Sequence, residues 1–293
     1  MIQASLIQRV AFLGLGTMGY PMAGHLCKNG YHVTVYNRTL SKAEKWSAQY
    51  VGQVAKTPAD AAEKAEIIFC CVGNDNDVRA MATGENGAFS AMQTEAVFVD
   101  HTTTSAKLAR ELEQEANKRG FGFIDAPVSG GQRGAEDGVL TVMAGGQSEI
   151  FERARPVIES YACAVRLMGP AGSGQLTKMV NQICIAGLLQ GLSEGINFAR
   201  NAGLDVERVL RVIDQGAAQS WQMENRGLSM AEGRFEFGFA VDWMRKDLGL
   251  CLDEADTNRT PLPITALIDQ FYARIQQQGG GRWDTSSLIR LLE

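Results

Sequence analysis

The chain has 293 residues, 45% of them hydrophobic, and carries 28 Lys and Arg against 33 Asp and Glu for a formal net charge of −5. That length suggests about two domains, and the apolar content suffices for sizeable cores. No block of Lys and Arg of the kind that tracks a phosphate backbone occurs, which excludes nucleic acid as a partner and leaves small neutral or anionic metabolites.

The N-terminal stretch MIQASLIQRVAFLG lacks the basic start and small-residue cleavage site of a secretory signal, and its apolar run leads into a strand. Short apolar runs then alternate with helical patterns: RVAFLG, MAGHLCKNG, YHVTVYN, SKAEKWSAQ, EIIFCCV and AVFVD. Continuous rather than alternating apolar strands suit a parallel sheet covered on both faces, a doubly wound βαβ pattern. FGFIDAPV and GVLTVMAGG extend that sheet to about residue 165.

From Gly172 onward the strand signals nearly vanish. TKMVNQICIAGLLQGLSEGINFARNAGLD carries a helical pattern of roughly 24 residues or more. Further helices are expected at about 205–215, 220–232, 241–256 and 263–278, with Pro261 and Pro263 breaking the chain between the last two. The expected class is α/β, with a Rossmann domain over 1–168, a long inter-domain helix, and an all-α domain over 169–293 that begins with that helix. The most hydrophobic helical segment runs about 14 residues and is interrupted by Asn181, Gln182 and Gln190, so no membrane span is expected. The six cysteines (Cys27, Cys70, Cys71, Cys163, Cys184 and Cys251) show no C-x-x-C spacing and mostly sit in apolar runs. They read as buried thiols in a reducing, cytoplasmic compartment.

VAFLGLGTMGYPMAGHL places Gly14, Gly16 and Gly19 in G-x-G-x-x-G spacing between a strand and a helix. The first glycine makes the tight turn, the second admits a pyrophosphate, and the third lets helix pack on strand. Gly14, Gly16, Thr17, Met18 and Gly19 are therefore candidate dinucleotide contacts, joined by Val72 at the end of EIIFCCV; a ligand-free turn and a methyltransferase loop are the alternatives. After the second strand, where an NAD site carries Asp or Glu, stand Asn37, Arg38 and Thr39. An arginine fork and a hydroxyl hold a 2′-phosphate, so NADP(H) is expected over NAD(H), which remains possible; Arg38 pointing into solvent is the alternative.

DAPVSGGQRGAEDG ends another strand, and Ser129, Gly130 and Gly131 offer a hydroxyl and unhindered N–H groups to a substrate carboxylate, or simply a turn. In FVDHTTTS the threonines suit either a nicotinamide or a helix cap, and His101 is a weak candidate for a general acid. Lys178, Asn181 and Gln182 share one face of an otherwise apolar helix. A desolvated ammonium supplies both proton and charge to a carbonyl being reduced; a lysine that snorkels to solvent is the competing reading. No His, Cys or carboxylate cluster has metal-ligand spacing, and no metal is expected.

Four motifs in order, GLGTMGYPMAGHL, DAPVSGG, GSGQLTKMVNQ and FAVDWMRKDLGL, resemble those of the β-hydroxyacid dehydrogenase family over nearly the whole length. The resemblance implies Lys178 as the catalytic proton donor or acceptor, Asn181 as a substrate-holding group, and Ser129, Gly130 and Gly131 as the carboxylate loop. It further implies Lys246 beside the cofactor with Asp247 behind it, Phe239 over the nicotinamide region, and Thr103 against the nicotinamide. His25, Thr102 and Gln182 depart from the family's usual residues, Gln182 standing where a second asparagine is common. The expected activity is hydride transfer between NADP(H) and a small carboxylate-bearing aldehyde or hydroxy acid, in a cleft between the domains of a homodimer or homotetramer. An imine reductase-like enzyme and a non-catalytic NADP-binding scaffold are the alternatives.

Overall fold

The computed structural model describes residues 7–292, so the start of the N-terminal stretch lies outside the described residues. The apolar run RVAFL forms β1 (Arg9–Leu13), followed by α1 (Gly19–Lys28), β2 (His32–Tyr36), α2 (Leu40–Gln49), β3 (Gln53–Val54), α3 (Pro58–Ala62), β4 (Ile67–Cys70), α4 (Asp75–Thr83), β5 (Val97–Asp100), α5 (Ala106–Arg119) and β6 (Gly122–Asp125). These six strands are parallel, in the order β3-β2-β1-β4-β5-β6. The strand order reverses between β1 and β4, the point at which doubly wound sheets bind ligands beyond their carboxyl ends.

Burial on both faces explains the continuous apolar runs. Val10 and Phe12 of β1 join Ile67 and Phe69 of β4 in one core, while Ala11, Leu13, Ile68 and Cys70 enter the core of the opposite face. Successive side chains of a strand alternate faces, so a sheet clad by helices on both sides demands an apolar residue at every position.

The sheet continues through β7 (Val128–Ser129), α6 (Gly131–Asp137), β8 (Leu140–Gly146), α7 (Ser148–Ile158) and β9 (Ala162–Gly169). Here the structure departs from a wholly parallel sheet: β8 runs antiparallel to both β6 and β7, and β9 parallel to β8. FGFIDAPV is two strands rather than one, interrupted at Ala126 and Pro127.

Helix α8 (Ser173–Asn201) spans 29 residues. It is followed by α9 (Val206–Ile213), α10 (Trp221–Ala231), α11 (Val241–Asn258), α12 (Pro263–Gln277) and a terminal 3₁₀ segment, Thr285–Leu291. The chain divides into two compact units, one reaching Lys178 and the other starting at Met179, so the division falls within α8. The second unit packs Ala186 and Leu189 against Val241, Met244, Leu248, Ile268, Tyr272 and Ile275. A neighbouring cluster gathers Leu192, Ile196, Leu210, Met223, Met230 and Phe235. No described helix is long and apolar enough to cross a membrane.

The cysteines correct an expectation. Among the described residues none of the six forms a disulfide, but only Cys70 and Cys251 are buried; Cys27 and Cys71 are half-buried, and Cys163 and Cys184 are exposed. Cys163 points outward from β9, and Cys184 lies along the side of α8 on which Val180 is also exposed.

His101 is a structural residue. It is buried, with Nδ1 2.6 Å from the Ala126 carbonyl oxygen and Nε2 2.8 Å from the Tyr161 hydroxyl. A carbonyl only accepts, so Nδ1 carries the proton and Nε2 accepts from Tyr161. Burial lowers the imidazole to about 4. The folded state thus holds His101 neutral, a contribution fully present above the ordinary value near 6.5 and lost as pH falls toward 4, amounting to about 3 kcal/mol. Asp100, pushed up to about 7 by burial, acts in the opposite sense, its contribution being lost as pH rises from about 4. In urea denaturation, the stability advantage of the wild type over His101→Gln is expected to shrink as pH falls from 7 to 4. A constant advantage across that range would contradict a buried neutral imidazole.

Candidate active site

The parallel strands end in register: Leu13 opposes Tyr36 and Cys70, Cys70 opposes Asp100, and Asp100 opposes Asp125. The glycine loop, Asn37–Thr39, Val72, Thr103 and Ala126 therefore all follow directly from one edge of the sheet.

The three motif glycines differ in what they answer to. At Gly14, φ is +99° and an added Cβ would stand 2.3 Å from the Cys71 carbonyl oxygen; at Gly19 it would stand 2.0 Å from the Gly14 oxygen. The loop's own packing therefore requires both. At Gly16 a Cβ would meet nothing within 4 Å, so the chain itself makes no demand there. Open space beside a helix start is what a pyrophosphate occupies, and Met18, at the cap position of α1, makes no side-chain cap hydrogen bond. Thr17 lies between them, exposed. These residues fit a dinucleotide.

Asn37 is committed to the loop. Its Oδ1 accepts from Leu15 N–H at 2.9 Å and its Nδ2 donates to the Thr39 carbonyl at 2.9 Å, tying the end of β2 to the glycine turn. The Arg38 side chain is 84% exposed, with Nη1 3.5 Å from Asp77 Oδ1, and Thr39 stands exposed at the start of α2 without capping it. Val72 N–H donates to Thr102 Oγ1 at 3.0 Å, and the Val72 side chain lies against Gly14. In FVDHTTTS, Thr102 and Ser105 serve the backbone: Ser105 caps α5 by accepting from Leu108 N–H at 3.1 Å. Thr103 is half-buried beside them.

Ser129 pairs with Thr141 across β7 and β8, and the chain then turns at Gly130 and Gly131, where φ is +129° and +62°. Nothing lies within 4 Å of a Cβ built on Gly131, so this loop too leaves room. His25 supports it: Nε2 lies 3.1 Å from the Ala135 carbonyl oxygen and 2.9 Å from that of Glu136, fastening α1 to α6.

Two functional-site residues were not legible as such in the sequence. Asp125, at the end of β6, is buried; its Oδ1 accepts from Gly172 N–H at 2.7 Å and its Oδ2 from Gln175 N–H at 2.9 Å. Burial pushes the carboxyl up to about 6 while those N–H groups pull it down. Gln175 accepts from Thr104 N–H at 3.0 Å and donates to the Thr102 carbonyl at 2.8 Å. Both lie inside quoted motifs, DAPVSGG and GSGQ, which was the available signal. Three residues beyond Gln175, Lys178 is 8% exposed, too little for a fully solvated ammonium.

In the second unit Asn181 Nδ2 donates to Gln182 Oε1 at 2.8 Å, and Gln182 Nε2 donates to Asp247 Oδ2 at 2.6 Å. Lys246 Nζ stands 2.9 Å from Asp247 Oδ1. Phe239 is half-buried and held through its backbone: its N–H donates to Asp284 Oδ2 at 2.9 Å, and its carbonyl accepts from Thr285 N–H at 2.9 Å. Asp284 is a further residue that the sequence did not single out. Among the described residues no three His, Cys, Asp or Glu gather as a metal site.

Residues 9–169 match the profile described as the NAD binding domain of 6-phosphogluconate dehydrogenase. Residues 172–292 match that described as NAD-binding of NADP-dependent 3-hydroxyisobutyrate dehydrogenase. An oxidoreductase of Shewanella frigidimarina is 58% identical over 97% of this chain and 98% of its own. The 2-hydroxy-3-oxopropionate reductase of Escherichia coli is 34% identical over 97% of each chain. Among solved structures, Mycobacterium tuberculosis 3-hydroxyisobutyrate dehydrogenase with L-serine superposes with a TM-score of 0.90 at 29% identity, over 98% of this chain and 100% of that one.

Proposed function

Since the chain belongs to the β-hydroxyacid dehydrogenase family and is an NAD(P)-dependent oxidoreductase, we propose that it interconverts a small aldehyde acid and its hydroxy acid using NADP(H), with Lys178 moving the proton. The observation that carries this reading is the burial of Lys178 on a helix anchored at the carboxyl ends of the strands. The E. coli and M. tuberculosis relatives are named for acids whose reacting carbon lies β to a carboxylate, and a substrate of that class is proposed here.

A bound nicotinamide would supply or accept the hydride. Ser129 and the N–H groups of Gly130 and Gly131 receive the substrate carboxylate, and Asn181 holds the substrate further. During reduction the carbonyl electron pair moves onto oxygen, where Lys178 Nζ donates a proton and stabilises the developing charge. In oxidation the neutral amine takes that proton back. Thr103 would contact the nicotinamide, and the family resemblance also assigns Phe239 and Lys246, the latter set by Asp247, to holding the cofactor. Arg38 and Thr39 would meet the 2′-phosphate; the exposure of Arg38 leaves its guanidinium available, and Asp77 at 3.5 Å is a modest competitor for it. A dimer or tetramer is proposed on the apolar side of α8, where Val180 and Phe198 are 61% and 71% exposed.

Lys178→Ala is expected to lower kcat by roughly 10³-fold or more while the NADPH Kd, read from nucleotide fluorescence, stays within about twofold. Retained kcat would overturn the assignment. Arg38→Ala is expected to raise KM for NADPH about tenfold and leave KM for NADH nearly unchanged. Equal changes for both nucleotides would remove the 2′-phosphate role.

A further inference from the structure

We propose that Gln182 is a positioning residue that sets the sense of the Asn181 amide, turning Asn181 Oδ1 toward the substrate as an acceptor for a hydroxyl of the bound hydroxy acid. This rests on the reading of Asn181 as a substrate-holding group.

The chemistry runs in one direction along three side chains. Asp247 is buried, with the Lys246 ammonium 2.9 Å from Oδ1, and a carboxylate paired with an ammonium offers acceptors alone. The atom of Gln182 that stands 2.6 Å from Asp247 Oδ2 must therefore be a nitrogen; an amide oxygen there would set two acceptors face to face. Fixing Nε2 on Asp247 turns Oε1 toward Asn181, which answers with Nδ2 at 2.8 Å. Asn181 Oδ1 is then directed away from the pair, and a carboxylate on one helix has determined which end of an amide on another is left for a ligand. Gln182 is 2% exposed and Asn181 half-buried, so water competes poorly for the inner bond while the outer end stays reachable. An asparagine at 182 would be one methylene short of Asp247, so the longer side chain is what connects the relay.

An acceptor at Asn181 selects a donor on the substrate. A carbonyl or carboxylate has none, whereas the alcohol of a hydroxy acid, or the 2-hydroxyl of 2-hydroxy-3-oxopropionate, does. Lys178, on the same face of α8 three residues earlier, carries only donors in its ammonium form, so during reduction the two residues present complementary groups.

The test is a double-mutant cycle on NADPH-driven reduction of 2-hydroxy-3-oxopropionate, together with NMR of the side-chain amides. Asn181→Ala and Gln182→Met are each expected to lower kcat/KM about tenfold or more, and the double variant to be no worse than Asn181→Ala alone. Losses that multiply, or wild-type kcat/KM for Gln182→Met beside an impaired Asn181→Ala, would overturn the relay. Wild-type kcat/KM for Asn181→Ala would instead remove the substrate role of Asn181, and the relay's purpose with it.

Gln182→Glu supplies a variant of matched shape. Protonated, it donates to Asp247 and accepts from Asn181 as glutamine does; ionised, it opposes Asp247. Its kcat/KM relative to wild type is expected to fall as pH rises from 6 to 9, and a flat ratio counts against the proposal. The NMR arm needs no turnover. The Asn181 NH₂ pair, identified by its loss in Asn181→Ala, should exchange slowly with water in the wild type and rapidly in Gln182→Met; unchanged exchange would overturn the relay.

Discussion

One carboxylate holds the start of the long helix. Asp125 closes β6 and spends both oxygens on the N–H groups of Gly172 and Gln175. These are among the donors that the first turn of α8 leaves without partners, and the helix dipole favours a negative charge at that end. Close quarters follow from it. A Cβ on Gly145 would come 2.5 Å from Asp125 Oδ1, and one on Gly174 would come 2.4 Å from the Met143 carbonyl oxygen, so only glycine fits at either place. Gln175 completes the attachment through Thr102 and Thr104, after β5. The phase of α8 is thereby set from the edge of the sheet, and Lys178 follows three residues later, buried at an angle the cap has determined.

The same strand ends supply the nucleotide residues. Gly14 and Gly19 are glycine for reasons internal to the loop, whereas Gly16 faces space that the protein leaves open. Asn37 secures the loop from β2, so a residue expected to touch the ligand also supports the backbone around it. Both units use one device: a buried carboxylate takes backbone or amide N–H groups and so holds a chain segment. Asp125 does this for α8, Asp284 for the segment at Phe239, and Asp247 for Gln182.

The parallel strands were legible because burial on two faces writes itself as uninterrupted apolar runs. The helices of the second half were legible because a one-sided core imposes helical spacing. The strand Ala162–Gly169 was not: only one side of it is well covered, and Cys163 and Arg166 break the apolar run. The short strand Gln53–Val54, with an exposed and a half-buried residue, carries almost no pattern. The cysteines misled because an apolar neighbourhood in sequence says nothing about which side of α8 or β9 a given residue occupies. Asp125 and Gln175 were hidden for a different reason. A polar residue's role depends on what it meets, and Asp125 meets donors 47 and 50 positions away. Lys178 stood out because an ammonium among Met, Val and Ile demands an explanation, and its burial supports the reading of a desolvated proton carrier.

The central claim is that this chain passes hydride between NADP(H) and a small aldehyde acid. A steady-state screen of glyoxylate, succinic semialdehyde, methylmalonate semialdehyde and 2-hydroxy-3-oxopropionate, each with NADPH and with NADH, tests it most directly. The account predicts turnover of methylmalonate semialdehyde, 2-hydroxy-3-oxopropionate or both, whose aldehyde carbon lies β to the carboxylate, with kcat/KM about tenfold or more higher for NADPH than for NADH. Failure to oxidise either nucleotide with any of the four would contradict it.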